Sequence, residues 1–160
     1  MQALSTITRV YLIEDDTDDC QIFTEAIKEI STQIILECSN DCLHVLGKLE
    51  TFVPELIFLD LHLPKKGGLE CLSEIHDTIA LRNIPVVMYT GSISPIDIDK
   101  SAAMGAKLYF EKPSSYRELV VQLRHVLSRD WHTPEALQPM VFKGGEFTPL
   151  QAYLKSNKQL

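Results

Sequence analysis

Long apolar runs are missing from the sequence. No stretch approaches the roughly 18 consecutive apolar residues that a membrane-spanning helix needs. Residues 1–8 also lack the basic region and apolar stretch that together direct secretion. We therefore expect a cytoplasmic protein that does not enter a membrane.

Basic residues are scarce compared with acidic ones. The chain has 15 Lys and Arg against 22 Asp and Glu, which gives a formal net charge of −7. Binding to nucleic-acid phosphates requires clustered positive charge, and docking on anionic lipid requires it too. The charge balance therefore argues against direct binding of nucleic acid and against membrane docking.

Cysteine is also scarce. The four cysteines are Cys20, Cys38, Cys42 and Cys71. In a cytoplasmic protein we expect all four to be reduced. Cys38 and Cys42 lie close to His44, but no second Cys or His pair stands at a zinc-like spacing, so a metal site there is disfavoured.

Short apolar runs alternate with amphipathic stretches along most of the chain. The runs predict strands at 9–13, 33–38, 55–59, 84–89 and 107–110, and helical spacing predicts helices at 17–29, 41–50, 69–77, 95–104 and 115–128. The first, third and fourth strands are almost continuously apolar, as in a parallel sheet covered on both faces. The pattern predicts an α/β fold with a doubly wound five-stranded parallel sheet, (βα)5 and flavodoxin-like, with strand order 2-1-3-4-5.

Polar side chains follow four of these strands directly. A doubly wound sheet binds its ligand outside the carboxyl ends of the strands, so residues that follow different strands should meet there. They are Glu14 and Asp15 after the first strand, Asp60 after the third, Thr90 and Gly91 after the fourth, and Lys112 after the fifth.

Three carboxylates in one cleft repel one another and require a cation or raised pKa values. Lys112 offers one positive charge, and a divalent metal would complete the balance. Oxygen ligands without a nearby His or Cys pair favour Mg²⁺. Beside Mg²⁺, the Asp60 carboxylate can act as a nucleophile toward a phosphoryl group, whose charge Lys112, the Thr90 hydroxyl and the Gly91 N–H can stabilise.

Other ligands of this fold fit less well. A flavodoxin would hold the FMN phosphate in the loop after the first strand, but residues 14–19 there are strongly acidic and repel a phosphate. A dinucleotide site would require the G-x-G-x-x-G motif, which the sequence lacks.

Five stretches of the sequence then resemble one known family, the response-regulator receiver domains typified by the bacterial chemotaxis regulator. The stretches are YLIEDD (11–16), LIFLDLHLP (56–64), GGLECL (67–72), PVVMYTGS (85–92) and YFEKP (109–113). They follow the family's order and spacing, and the similarity covers roughly residues 8–128.

The resemblance implies a role for each matching residue. Asp60 matches the phosphoacceptor, and Thr90 and Lys112 match the groups that bind phosphoryl oxygens. Tyr109 matches the aromatic switch residue, although simple packing is the alternative for it. The implied Mg²⁺ ligands are Asp15 directly, Glu14 mainly through water, Asp60, and the backbone carbonyl of His62.

The resemblance also implies a function. The chain would be a single-domain response regulator that accepts a phosphoryl group on Asp60 from a sensor histidine kinase or phosphotransfer protein. It would signal to an unknown downstream protein through the face formed by the fourth helix, fifth strand and fifth helix. It would not be an enzyme beyond slow self-dephosphorylation.

Two other functions stay open. One is a pseudo-receiver, a binding module that works without phosphorylation, although intact Asp60, Thr90 and Lys112 argue against it. The other is a hydrolase with an Asp nucleophile, which would require a second acid two residues on, where this chain has His62. We expect that histidine to be a partly exposed loop residue.

The remaining acidic side chains of the first loop have a simpler explanation. Asp16, Asp18 and Asp19 stand where carboxylates favour the first turn of a helix.

The chain is expected to divide into a receiver domain (1–128) and a C-terminal extension (129–160) that is too short for a separate output domain. Thr148 and Pro149 predict the start of a helix in this tail, with apolar residues on one face. These would pack on the receiver or on a second subunit. Our hypothesis is a homodimer, formed through the tail or through the face named above.

Overall fold

The computed structural model describes residues 7–91 and 94–157, and these contain seven strands and six helices. The strands are β1 (Arg9–Ile13), β2 (Ile35–Ser39), β3 (Leu56–Leu59), β4 (Val86–Thr90), β5 (Leu108–Glu111), β6 (Met140–Lys143) and β7 (Glu146–Pro149). The helices are α1 (Thr17–Ile30), α2 (Val45–Phe52), α3 (Gly68–Asp77), α4 (Pro95–Ala103), α5 (Tyr116–Ser128) and α6 (Leu150–Asn157).

All strands belong to one sheet with the order β2-β1-β3-β4-β5-β6-β7. The pairs from β2 to β6 are parallel, and β7 is antiparallel to β6. The predicted order 2-1-3-4-5 is therefore confirmed. The predicted number of five strands is wrong, because the tail adds two more at the β5 edge.

The two added strands form a hairpin, and the two residues of its turn are ones that favour a hairpin. Gly144 and Gly145 connect β6 to β7 with φ angles of +60° and +83°. Two-residue hairpin turns require positive φ at these positions, and glycine adopts it without a steric penalty. The tail helix begins at Leu150, one residue later than the Thr148-Pro149 signal predicts.

The predicted boundaries of the first five strands and helices lie within two residues of the observed ones, except at the start of α2. The helix was predicted from residue 41 but begins at Val45. Gly105 follows the C-cap of α4 with φ +107°, as predicted for a glycine that ends a helix.

The sheet separates two apolar layers. One layer lies under α1 and α5 and includes Phe23, Phe58 and Phe110. The other lies under α2, α3 and α4 and includes Ile57 and Tyr109.

Strand β6 contributes to both layers. Phe142 joins the layer under α1 and α5, whereas Val141 joins the other layer together with Leu150 of α6. Val141, Phe142 and Leu150 of the tail therefore pack on their own receiver, which is one of the two alternatives left open by the sequence.

The expectation that all four cysteines are reduced is wrong for two of them. Cys42 and Cys71 form a disulfide, and their Cα atoms are 5.9 Å apart. This distance lies in the range that a disulfide can bridge. The expectation was based on cellular compartment alone and could not take account of the fact that α3 approaches the segment before α2. Cys20 and Cys38 are free thiols.

Over residues 7–91 and 94–157, no helix combines the length and apolar character that a membrane crossing requires.

Candidate functional site

The site lies where the parallel strands end, and the backbone hydrogen bonds of the sheet continue into it. The Asp60 N–H donates to the carbonyl of Ile13 at 3.0 Å. The Lys112 N–H donates to the carbonyl of Thr90 at 2.9 Å. These bonds hold the residues that follow β3 and β5 at one edge of the sheet, as the sequence predicted.

Lys112 is the centre of an ion-pair network. Its Nζ lies 2.7 Å from Glu14 Oε2, 2.9 Å from Asp19 Oδ2 and 3.2 Å from Asp60 Oδ2. Glu14 and Asp60 are buried, so their charges are compensated by a cation rather than by water. The pairing that the sequence predicted between Lys112 and the acidic cleft is present.

Asp19 is a member of this network that sequence reasoning missed. It was assigned to the first turn of α1, and Asp16 does cap that helix by accepting from the Asp19 N–H at 3.0 Å. The Asp19 carboxylate, however, points to Lys112. The only signal in the sequence was its place at the end of the acidic stretch 14–19, which does not distinguish the two roles.

Three carboxylates also fit a divalent cation. Glu14, Asp15 and Asp60 each place one oxygen within 4.8 Å of the others, and Asp15 is exposed while the other two are buried. With Asp19 the cluster has four carboxylates, three of which contact the Lys112 ammonium, so it has an excess of negative charge. Oxygen donors of this kind suit a hard divalent ion, which retains some of its water.

The electrostatics of the metal-free cleft follow from this burial. Burial raises the pKa of Glu14 to about 7, assisted by the Asp60 charge and opposed by the hydrogen bond from Lys112. Burial alone would lower the pKa of Lys112, but the hydrogen bonds to Glu14 and Asp19 and the charge of Asp60 outweigh it and raise that pKa. The ammonium is therefore charged, and Glu14 titrates near neutral pH when no metal is bound.

The predicted hydroxyl and aromatic residues lie on neighbouring strands. Thr90 is fully buried at the end of β4, and Gly91 follows it at the surface. Tyr109 is buried on β5, in register with Met88 of β4 and Val141 of β6. Burial raises the pKa of the Tyr109 phenol. The structure thus places Thr90 and Tyr109 on adjacent strands, with the tail on the other side of the tyrosine.

The loop after Asp60 is fixed from two directions. The backbone N–H of His62 donates to Asp60 Oδ1 at 3.1 Å, and the His62 side chain is exposed, as predicted. Gly68, the first residue of α3, lies so close that a Cβ would be 2.3 Å from the Asp60 carbonyl oxygen. Only glycine permits this approach, which the sequence did not reveal because it depends on how α3 packs. The role of the His62 carbonyl stays a prediction.

The fold and this cleft define the class of the protein, and comparison with known proteins gives the same class. The family model for the response regulator receiver domain matches residues 10–124. The chain belongs to the response-regulator receiver family.

Several curated relatives are similar to the chain. The transcriptional regulatory protein BaeR of Escherichia coli is 31% identical over 144 residues, covering 87% of this chain and 58% of BaeR. The response regulator Rcp1 of Synechocystis is 30% identical over 126 residues, covering 74% of this chain and 86% of Rcp1. The chain spans 50% of the transcriptional regulatory protein CpxR of Klebsiella pneumoniae, with 29% identity. It therefore spans about half the length of the CpxR and BaeR relatives.

Two solved structures are similar in fold. The phosphorylated cyanobacterial phytochrome response regulator RcpA has a TM-score of 0.69 and 28% identity, covering 76% of this chain and 91% of RcpA. The Mn²⁺-bound form of Rcp1 has a TM-score of 0.67 and 31% identity, covering 76% of this chain and 92% of that one.

Proposed function

We propose that this chain is a phosphorylated response regulator whose phosphoacceptor is Asp60. The observation that supports this most is the position of the buried Asp60 carboxylate. It lies 3.2 Å from the Lys112 ammonium and within 4.8 Å of oxygens of Glu14 and Asp15. A nucleophile, a fixed cation and a divalent-cation site are the parts that phosphoryl transfer requires.

The chain's own residues would act as follows. A carboxylate oxygen of Asp60 attacks phosphorus and forms the new P–O bond, while the bond from phosphorus to the donor's histidine nitrogen breaks and its electron pair stays on that nitrogen. The Lys112 ammonium neutralises charge on the phosphoryl oxygens, and the Thr90 hydroxyl and Gly91 N–H donate hydrogen bonds to them. Slow attack of water on the aspartyl phosphate would return Asp60 to its original state.

The metal of the proposed function is Mg²⁺. Glu14, Asp15 and Asp60 would hold it with the backbone carbonyl of His62, and when bound it would neutralise charge on the phosphoryl oxygens. The oxygen-only donor set supports this assignment, and the Rcp1 relative has been solved with another hard divalent ion, Mn²⁺.

The partners of the proposed function are proteins. The phosphoryl donor would be a sensor histidine kinase or a phosphotransfer protein in the cytoplasm. The signal would pass to a downstream protein, or to a second copy of the chain in a homodimer, through α4, β5 and α5. The net charge of −7 supports protein partners rather than nucleic acid or membrane.

Beryllofluoride, which occupies the place of a phosphoryl group on a carboxylate, tests this proposal in the presence of Mg²⁺. We expect chemical-shift changes in the wild-type chain that are absent from Asp60→Asn and present in Asp77→Asn, which removes an exposed carboxylate elsewhere on the surface. Incubation with phosphoramidate should add one phosphoryl group per chain, also dependent on Asp60. If Asp60→Asn responds like the wild type, the chain is a pseudo-receiver and the proposal fails.

A further inference from the structure

The tail occupies the edge of the sheet that the proposed function assigns to partners. Strand β6 pairs with β5 through Leu108 and Met140, Tyr109 and Val141, and Phe110 and Phe142. The N–H of Met140 also donates to the carbonyl of Lys107 at 3.2 Å. The backbone of β5 is therefore paired on both sides within the same chain.

The two parts of the tail are attached very differently. In β6 the side chains of Val141 and Phe142 are fully buried, and the Phe142 ring lies 5.1 Å from that of Phe110. In α6 only Leu150 is buried, while Tyr153 and Leu154 are half-buried. An eight-residue helix is not stable in water by itself, so α6 exists because of its contact with the receiver. Strand β6 is part of the core, whereas α6 is held by one face.

The surface on which α6 packs is formed by α4 and β5. Leu150 borders a very small cavity with Ile98, Ala102 and Tyr109, and the Leu150 N–H donates to the carbonyl of Pro139 at 3.1 Å. The apolar side of α6 therefore covers Tyr109 and the side of α4 that faces the sheet.

The same tyrosine lies between the surface that holds α6 and the strand that leads to the phosphoryl-binding residues. Tyr109 borders the small cavity beside Leu150 and is in register with Met88 of β4, two residues before Thr90. In addition, α4 begins at Pro95, only a few residues after Thr90 and Gly91, which the proposed function assigns to the phosphoryl oxygens. A shift of Thr90 and Gly91 toward a phosphoryl group would move α4 and Tyr109, and with them two sides of the surface that holds α6. Closely packed surfaces tolerate such shifts poorly and tend to switch between discrete arrangements.

We propose that α6 is a lid that docks over Tyr109 and α4 of its own chain. The lid undocks while the β6–β7 hairpin stays in place, and phosphorylation of Asp60 favours the undocked state. Partner contact with α4 and the Tyr109 side of β5 then requires the lid to open, while the backbone edge of β5 stays paired with β6. This proposal rests on the proposed function, because it gives the regulation of the same site.

Hydrogen exchange of the full chain, read by mass spectrometry, tests the lid itself. The double variant L150A/Y153A removes the apolar contacts, and Q151A/K155A is the matched control because both of its side chains are exposed on the same helix. In L150A/Y153A we expect at least tenfold faster exchange in residues 150–157 and unchanged exchange in residues 140–143. In the control we expect wild-type rates in both segments. Equal loss of protection in the two segments would show that α6 and β6 unfold together, and the lid is then wrong.

Beryllofluoride with Mg²⁺ tests the coupling. In the wild type we expect at least fivefold faster exchange of residues 150–157, and no change in Asp60→Asn. Because coupling is reciprocal, L150A/Y153A should bind beryllofluoride more tightly by a similar factor. If beryllofluoride protects residues around Asp60 but exchange in α6 stays the same or slows, the coupling is wrong and the proposed function stands. If it has no Asp60-dependent effect anywhere, both are wrong.

Discussion

At the scale of single residues, Lys112 balances much of the negative charge of the carboxylates in the cleft. Its ammonium contacts three carboxylates, of which Glu14 and Asp60 are buried. A divalent cation bound by Glu14, Asp15 and Asp60 would lie close to this ammonium. Lys112 therefore stabilises the metal-free cleft and at the same time repels the metal.

Replacing Lys112 by methionine should strengthen metal binding. The substitution removes a positive charge a few ångströms from the cation and leaves the carboxylates in place, so we expect Mg²⁺ to bind about 3- to 10-fold more tightly by isothermal titration calorimetry. Phosphorylation by phosphoramidate should fall in the same variant. Lys100→Met, which removes an exposed lysine of α4, should leave Mg²⁺ affinity unchanged. Weaker Mg²⁺ binding by Lys112→Met would show that the lysine organises the carboxylates rather than competing with the metal.

The raised pKa of Glu14 makes the stability of the metal-free protein depend on pH. The pKa is about 7 in the folded chain and 4.5 when unperturbed, so between these values the folded state binds more protons than the unfolded state. The resulting stabilisation is complete below about pH 4.5 and is lost as the pH rises through 7. In EDTA, the free energy of unfolding of the wild type should fall by about 1–3 kcal/mol relative to Glu14→Gln between pH 5 and pH 8.

Urea denaturation at several pH values measures this difference. Saturating Mg²⁺ serves as the internal control, because it stabilises the ionised carboxylate and should remove the loss at high pH. Parallel pH profiles for wild type and Glu14→Gln in EDTA would contradict the raised pKa.

The residues of the site divide clearly into those that the sequence can predict and those that it cannot. Glu14, Asp60 and Lys112 were predictable because each directly follows an apolar strand, and parallel strands bring their carboxyl ends together. Asp19 and Gly68 were not, since their contacts depend on how the first turns of α1 and α3 lie against the cleft. A contact between a helix start and a strand end has no fixed spacing in sequence.

At the scale of elements, the disulfide connects the segment before α2 to α3. The predicted helix start at residue 41 was wrong by four residues, and Cys42 lies in the irregular stretch that replaces it. Cys71 belongs to the helix whose first residue, Gly68, lies so close to the Asp60 backbone that no side chain would fit between them. The crosslink therefore restrains the helix that supports the loop after Asp60, the proposed phosphoacceptor.

Reduction of this disulfide should destabilise the protein. It closes a loop between residues 29 positions apart, for which loop entropy predicts about 3.5 kcal/mol of stabilisation. We expect dithiothreitol to lower the free energy of unfolding in urea by roughly that amount. Cys20→Ser/Cys38→Ser, which removes only the free thiols, should respond to the reductant like the wild type. Cys42→Ser/Cys71→Ser should not respond, and an equal response from that variant would contradict the crosslink.

The hairpin of β6 and β7 was not predicted from the sequence. Each strand has four residues, as β3 and β5 do, but β6 is followed by another strand and not by an amphipathic helix that would mark a βα unit. The Gly144-Gly145 pair is a known hairpin signal, but the position of the hairpin beside β5 depends on tertiary packing. By contrast, the five longer βα units were predictable because their apolar patterns extend over whole helices and strands.

At the scale of the whole molecule, a row of aromatic rings passes from the receiver into the tail. Tyr89 contacts Phe110, Phe110 contacts Phe142, and Phe142 contacts Phe147, with ring centroids 5.3, 5.1 and 4.5 Å apart. Trp131 is also buried in this layer. The packing of the receiver therefore does not end with α5, where the five repeated units end.

Two shortened chains should consequently behave very differently. Of the residues that the structure describes, a chain ending at Pro149 loses only α6, which buries a single side chain. Its midpoint of urea denaturation should therefore stay close to that of the full chain. A chain ending at Arg129 loses Phe142, whose deletion alone should cost about 3–5 kcal/mol, and also exposes the unpaired edge of β5. We expect it to unfold at much lower urea and to self-associate in light scattering. Equal stability of the two shortened chains would contradict a tail built from a core strand and a weakly held helix. If the chain ending at Arg129 were instead stable and monomeric while the full chain were dimeric, the tail would be a dimerisation element rather than part of the receiver core.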